Sequence, residues 1–230
     1  MRRPPAFKRE IVILYEDDAV IAVDKPAGLP AVPIPGSEAP SALAILIAEM
    51  KRQRQRALVV HRIDRFTSGA LLFAKTSSAR DVLVRQFLKH TPVRQYLAVV
   101  RGRVEERDAK LVHYLRRSGM FQQVSREQDP EAARAELSYT VEQPLRHATL
   151  VRVTLVTGLQ NQIRVQLAAA GHPVIGDRKY RAEEAEESRI ARVALHAAYL
   201  EFIHPVTREK VIVESKLPGD MRSLITSLHR

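Results

Sequence analysis

Residues Val59–Thr76 read VVHRIDRFTSGALLFAKT. From Gly69 to Lys75 the run is too apolar to face water on both sides, which predicts a buried strand. The half before it holds a single carboxylate, Asp64, set between Arg62 and Arg65 at the mouth of that strand. Nearby positive charge favours the ionised form of a carboxyl group, and a carboxylate nucleophile or base has to be ionised. Thr67, Ser68 and Gly69 shape a tight entry into the strand, with Gly69 permitting close approach of another backbone.

Upstream, IVILYEDDAVIAVDKPAGLP (Ile11–Pro30) gives two apolar runs divided by Glu16, Asp17 and Asp18, the pattern of a hairpin with an acidic turn. Lys25-Pro26-Ala27-Gly28 ends the second strand, and a proline-rich loop follows. Ser41 is placed to cap a helix in which Leu43, Leu46, Ile47 and Met50 recur at helical spacing. Lys51, Arg52, Arg54 and Arg56 cluster at its C-terminal end, where cations suit the helix dipole.

Downstream, Ser77 or Ser78 is placed to cap a second helix whose Val82, Leu83 and Phe87 form one buried face. VRQYLAVVRG, AELSYTVEQPL, ATLVRVTLVTG, RVALHAAYLEFI and KVIVESKLP read as strands. NQIRVQLAAAGHP, between the third and fourth of these, reads as a helix closed by Gly171 and Pro173. Strands outnumber helices and their order is irregular, so the expected class is α+β with a mixed sheet. No repeat or flexible linker divides the chain. A basic N-terminal extension, residues 1–10, followed by one catalytic body, residues 11–230, is expected. The acidic cluster Arg181–Ser188 reads as a solvated loop or short helix.

Charge narrows the partner class. Lys and Arg number 37 against 26 Asp and Glu, a formal net charge of +11. Such an excess in a folded domain serves a polyanion, because each cation that neutralises a phosphate releases a condensed counterion. Nucleic acid is therefore the expected partner. The absence of cysteine removes disulfides, thiolate zinc sites and cysteine nucleophiles. No glycine-rich phosphate or dinucleotide loop and no H-x-x-x-H pair occur, so neither cofactor nor metal is expected. The apolar runs are too short for a signal-peptide core or a membrane span, and a cytoplasmic location is expected.

The stretch HRIDRFTSGALLFAKT resembles the signature of the RluA-type RNA pseudouridine synthases, H-R-L-D-(R/K)-x-T-S-G followed by three hydrophobic residues and F-A-K. Further landmarks of that family occur in order: LYEDDAVIAVDKPAGLP, RQYLAVVRG, TGLQNQIRVQLAAAGHPVIGD and RVALHAAYLEFIHPVTRE. The resemblance implies a mixed, mainly antiparallel curved sheet with flanking helices and a central cleft, in which uridine in structured RNA is isomerised without metal or cofactor. By the same resemblance Asp64 is the nucleophile, attacking either the sugar C1′ or the base C6. Tyr96 packs on the target base, and Arg164 pairs with the catalytic carboxylate. Arg62 matches the residue that enters the RNA stack when the uridine leaves it, at a flipping cost of a few kcal/mol. His61 is a helper that orders the loop by hydrogen bonding. It is grouped with Arg62, Arg65, Lys51, Arg52 and Arg54 as the residues expected to face RNA.

Three positions depart from the family pattern. Leu159 and Asn161 stand where an Arg and a His are common, and Phe66 where an acid often is. Target contacts, and not the chemistry, are expected to differ there. The expected target is ribosomal or transfer RNA, handled by a monomer with no S4-type domain and no required protein partner. Two other readings remain at this point: a non-catalytic RNA-binding or RNA-folding protein on the same scaffold, and a glycoside-processing enzyme. The second needs another carboxylate about 5–10 Å from Asp64, and no acid in the matched motifs fits.

Overall fold

The computed structural model describes residues 11–51, 54–119, 121–180 and 190–229. The basic extension 1–10, Arg52 and the cluster Arg181–Ser188 lie outside the described residues. In chain order the elements are β1 (Val12–Glu16), β2 (Val20–Lys25), α1 (Ala42–Lys51), β3 (Leu58–Val59), β4 (Ser68–Ala74) and α2 (Ser77–Leu88). Then come β5 (Val93–Arg101), β6 (Asp108–Ser118), β7 (Phe121–Ser125), β8 (Ala132–Pro144) and β9 (Ala148–Leu155). The chain continues with α3 (Gln162–Ala169), β10 (Leu195–Ile203), β11 (Lys210–Glu214) and α4 (Gly219–His229). The class is α+β with mainly antiparallel pairing, as expected. Two compact units are distinguished, one of Met1–Val93 with Ala197–Lys216 and one of Arg94–His196 with Leu217–Arg230.

In the first unit the strand order is β1-β2-β4-β10, with β3 on β4 and β11 on β10. The pairs β1–β2, β2–β4, β3–β4 and β10–β11 are antiparallel. Every residue of β4 is buried, as the apolar run from Gly69 requires. Leu71, Leu72 and Phe73 are wholly inaccessible. Burying each stabilises by about 1.5–3 kcal/mol, so this strand outweighs any single turn or cap, worth about 1 kcal/mol. One face of β2 and β4 packs with Ala79 and Leu83 of α2 and with Leu200, Phe202 and Val213.

The register sets Lys25 opposite Gly69, so the end of β2 meets the start of β4 beside the Asp64 loop. Gly69 has φ +113°, and a Cβ there would lie 2.1 Å from the Ala197 carbonyl oxygen. Glycine is obligatory on both counts. The caps depart by one residue from expectation: Thr76, not Ser77 or Ser78, caps α2, its hydroxyl accepting from Ala79 N at 3.1 Å. Ser41 caps α1 as expected, accepting from Ala44 N. Ile47, placed on the buried face of α1 by its spacing, is 46% exposed.

In the second unit the order is β5-β9-β8-β6-β7, again antiparallel at each step from β5 to β7. The β6–β7 hairpin and α4 carry too little apolar periodicity to be recognised from sequence. β6 buries only Leu115 fully and α4 only Met221 and Leu224. Helix α4 is instead anchored by charge. The Arg192 guanidinium, 3% exposed, forms a two-pronged pair with Asp220 in the first turn, at 2.7 and 2.9 Å, where a carboxylate also suits the dipole.

Candidate active site

The Asp64 loop runs from β3 to β4 and is pinned from beneath. Ile63 and Thr67 are buried while Arg62, Arg65 and Phe66 are exposed, which leaves Asp64 half-buried between exposed cations. The Asp64 carbonyl accepts from Thr67 N at 3.1 Å, closing a turn around the carboxylate residue. Gly28 N donates to the Arg65 carbonyl at 2.8 Å, and Arg65 Nε returns a bond to the Gly28 carbonyl at 2.9 Å. A buried ammonium completes the lock. Lys25 is fully inaccessible, and its Nζ donates to the carbonyls of Pro26, Leu29 and Arg65 at 3.0, 2.8 and 3.2 Å. An ammonium taken out of water needs such acceptors. The loop cannot shift without breaking them.

His61 is held against β4 and α2. Its Nε2 accepts from Leu72 N at 3.1 Å and its ring stacks on Phe87, with centroids 4.4 Å apart. The ring is half-buried and committed to the protein interior on that face. Arg65 likewise spends its Nε on Gly28, with the guanidinium 5.4 Å over the Phe66 ring. Arg62 is exposed, as are Lys51 and Arg54 at the end of α1. Arg54 and Arg56 join Lys75, Thr76 and Ser77 around a pocket of about 400 Å³, which Asp18 also lines.

Tyr96 and Arg164 belong to the second unit, and Asp64 to the first. Tyr96 sits in β5 opposite Val153 and is buried. Two residues earlier on the same face, Arg94 Nη2 donates to the carbonyls of Leu155, Val156 and Thr157 at 3.4, 2.8 and 3.3 Å. Burial pushes the Arg94 guanidinium below its ordinary value, with Tyr96 acting the other way. Arg94 thereby joins the Tyr96 strand to the segment leading into α3. Gln162 knits that segment further, its Oε1 accepting from Thr157 Oγ1 and Leu159 N, and its Nε2 donating to the Glu136 carbonyl.

Arg164, 7% exposed, is gripped on its edges. Nε and Nη2 donate to the two oxygens of Asp177 at 2.6 and 2.7 Å, and Nη1 donates to Asn161 Oδ1 at 2.6 Å. Such a fork is the strong form of ion pair and fixes orientation as well as charge. Asp177 is 3% exposed and its Oδ1 also accepts from Lys179 N. Asn161 caps α3 in the left-handed region, φ 54°, which asparagine tolerates better than most residues. Asn161, expected to concern target contacts, is buried and holds the Arg164 guanidinium. Leu159 packs against Leu115, Ala135 and Val165, while Phe66 alone of the three departures is exposed.

Sequence reasoning missed Lys25, Arg94 and Asp177. The signal for Asp177 was its place as the last residue of the landmark TGLQNQIRVQLAAAGHPVIGD, just before Arg178 and Lys179.

Comparison with known proteins bears on the chain's family and fold. A family profile for RNA pseudouridylate synthase matches residues 19–169. The ribosomal large subunit pseudouridine synthase D of Nitrosomonas europaea is 38% identical over 228 residues, covering 94% of this chain and 64% of its own length. The ribosomal large subunit pseudouridine synthase C of Escherichia coli strain K12 is 36% identical over 229 residues, covering 94% of this chain and 70% of its own length. The chain thus spans roughly two thirds of these relatives. In fold it resembles human RNA pseudouridylate synthase domain containing 4, with a TM-score of 0.81, 20% identity and coverage of 94% of this chain and 92% of that one. The chain belongs to the RNA pseudouridylate synthase family.

Proposed function

We propose that this protein converts specific uridines of structured RNA into pseudouridine, with Asp64 as the nucleophile and residues 11–230 as the catalytic domain. The observation that carries the reading is the Asp64 loop. Its backbone is locked by Lys25, Gly28 and Arg65, and Asp64 itself is half-buried, flanked in sequence by the exposed Arg62 and Arg65. A carboxylate suits the chemistry because it can form a covalent adduct and then leave it. The N-glycosidic bond breaks, the uracil turns, and a carbon of the ring bonds to C1′; that carbon then loses its proton and the freed ring nitrogen gains one. The reaction is an isomerisation and consumes neither metal nor cofactor. Tyr96 packs on the target base, and Arg164 keeps the nucleophile ionised, its own plane set by Asp177 and Asn161. Arg62, with its exposed planar guanidinium, fills the stack vacated by the uridine. The relatives named above act on the large ribosomal subunit by their names, which favours ribosomal over transfer RNA as target. We further propose a monomeric, cytoplasmic enzyme. Among the described residues no helix is long and apolar enough to cross a membrane.

The test separates holding RNA from changing it. Asp64→Asn keeps the shape and loses the nucleophile. Chemical mapping of pseudouridine in total RNA from a strain carrying only this variant is expected to lose the same sites as a deletion strain. Purified variant should still bind RNA, because a charge that repels phosphate is gone. Pseudouridine formed by Asp64→Asn on any RNA that wild type modifies would refute the assignment. Sites unchanged in the deletion strain would instead favour a non-catalytic RNA-binding protein.

A further inference from the structure

Tyr180 lies three residues after Asp177 and outside every role assigned above. Its ring sits 5.2 Å from the Arg164 guanidinium carbon, and its backbone N donates to Asp177 Oδ1 at 3.3 Å. Its hydroxyl accepts from Gln122 N in β7 at 3.1 Å. Gln122 faces Arg117 across the β6–β7 pair, and β7 ends the strand order of its unit. Tyr180 therefore closes a donor on the outer strand edge. Its hydrocarbon body packs on Leu115, Ala135 and Val165, one residue each from β6, β8 and α3.

A guanidinium has five N–H donors in one plane. Asp177 and Asn161 restrain Arg164 within that plane through three hydrogen bonds. In-plane bonds resist sliding, but tilt is resisted by what lies over the face, and an aromatic ring attracts a cation there. We propose that Tyr180 is a positioning residue for Arg164: its ring holds the guanidinium face while Asp177 and Asn161 hold the edges, and its hydroxyl anchors that assembly to strand β7. The inference rests on the role given to Arg164 above. Removing the ring should slow the chemical step and leave RNA affinity intact.

The experiment measures single-turnover pseudouridine formation and RNA affinity for Tyr180→Phe and Tyr180→Leu, each made in wild type and in Arg164→Lys. Large-subunit ribosomal RNA transcript carrying a site that wild type converts is the substrate. Tyr180→Leu should cost about 10-fold in rate with affinity within about 2-fold. Tyr180→Phe, which loses only the anchor to β7, should cost about 2–5-fold. In the Arg164→Lys background Tyr180→Leu should add less than about 2-fold, because an ammonium has no face to hold. An equal loss in both backgrounds, or a loss of affinity matching the loss of rate, would overturn the proposal in favour of a purely structural tyrosine. If Tyr180→Leu has no folding transition, Tyr180→Phe decides alone: a rate equal to wild type overturns the proposal, and the stated loss at unchanged affinity supports it. Wild type inactive on every RNA sinks the functional reading and this inference together. Active wild type with unaffected Tyr180 variants sinks this inference only.

Discussion

Gly69 shows how strictly a single position can be specified beside the candidate nucleophile. It opens β4 directly after the Asp64 loop, has φ +113°, and approaches the Ala197 carbonyl too closely for any side chain. Gly69→Ala therefore meets both backbone strain and a backbone clash. We expect a loss of more than about 3 kcal/mol, or at least about 6–12 °C in Tm for a protein of this size. A thermal melt within about 1 °C of wild type would show that the strand start can relax. Gly69 was legible in sequence because the motif names it. The left-handed backbone of Asn161 and its bond to Arg164 were not legible, because both depend on where α3 begins.

At the scale of elements, the turn between β1 and β2 is tied to the turn between β10 and β11 through one carboxylate. Asp17 Oδ1 accepts from Ala19 N and Val20 N at 2.8 and 2.9 Å, and Oδ2 accepts from the Tyr15 hydroxyl at 2.7 Å. His204 Nε2 lies 3.0 Å from the same Oδ2, while its Nδ1 accepts from Val206 N and Thr207 N. Burial alone would raise the Asp17 carboxyl, but the bonds from Tyr15, Val20 and Ala19, with His204, hold it below its ordinary 3.8. A depressed folded value means that its stabilisation is present above about pH 4 and is lost as pH falls through the folded value. Asp17→Asn should thus lower Tm at pH 7 by about 3–6 °C, with the difference from wild type shrinking below about pH 4. A difference that stays constant from pH 7 to about pH 3 would show that charge at Asp17 contributes nothing. The acidic turn itself was evident from Glu16-Asp17-Asp18. Its link to His204 was not, because nothing local joins residues so far apart in the chain.

For the whole molecule the decisive quantity is the net charge of +11. If it serves phosphate contacts, log affinity for single-stranded RNA should fall linearly with log salt at about −0.7 per contact. Four contacts would give about a 50-fold loss between about 0.05 and 0.2 M salt. Replacing Lys51, Arg52 and Arg54 by Ala should flatten that slope by about 2 if each holds a phosphate. Lys51 and Arg54 are exposed, as this requires. An unchanged slope would reduce these residues to solvated ornament of the helix end.

The sequence alone determined what depends on residue type and near spacing. The buried strand after Asp64 followed from an unbroken apolar run, the first hairpin from two such runs around an acidic turn, and the helix of Arg164 from its closing Gly171 and Pro173. Asp64, Tyr96 and Arg164 were expected as site residues because the motifs that hold them resemble those of the family. Tertiary structure alone decided how those residues are held. Lys25 is a strand-end lysine until three carbonyls surround its ammonium, and Asp177 is a loop acid until Arg164 arrives thirteen residues away. The β6–β7 hairpin belongs to the same class, since its half-exposed, charged strands are stabilised by β8, with which β6 pairs. Apolar periodicity is a local signal. The partners of a buried charge or a polar strand are set by which distant backbone the fold brings within hydrogen-bonding reach.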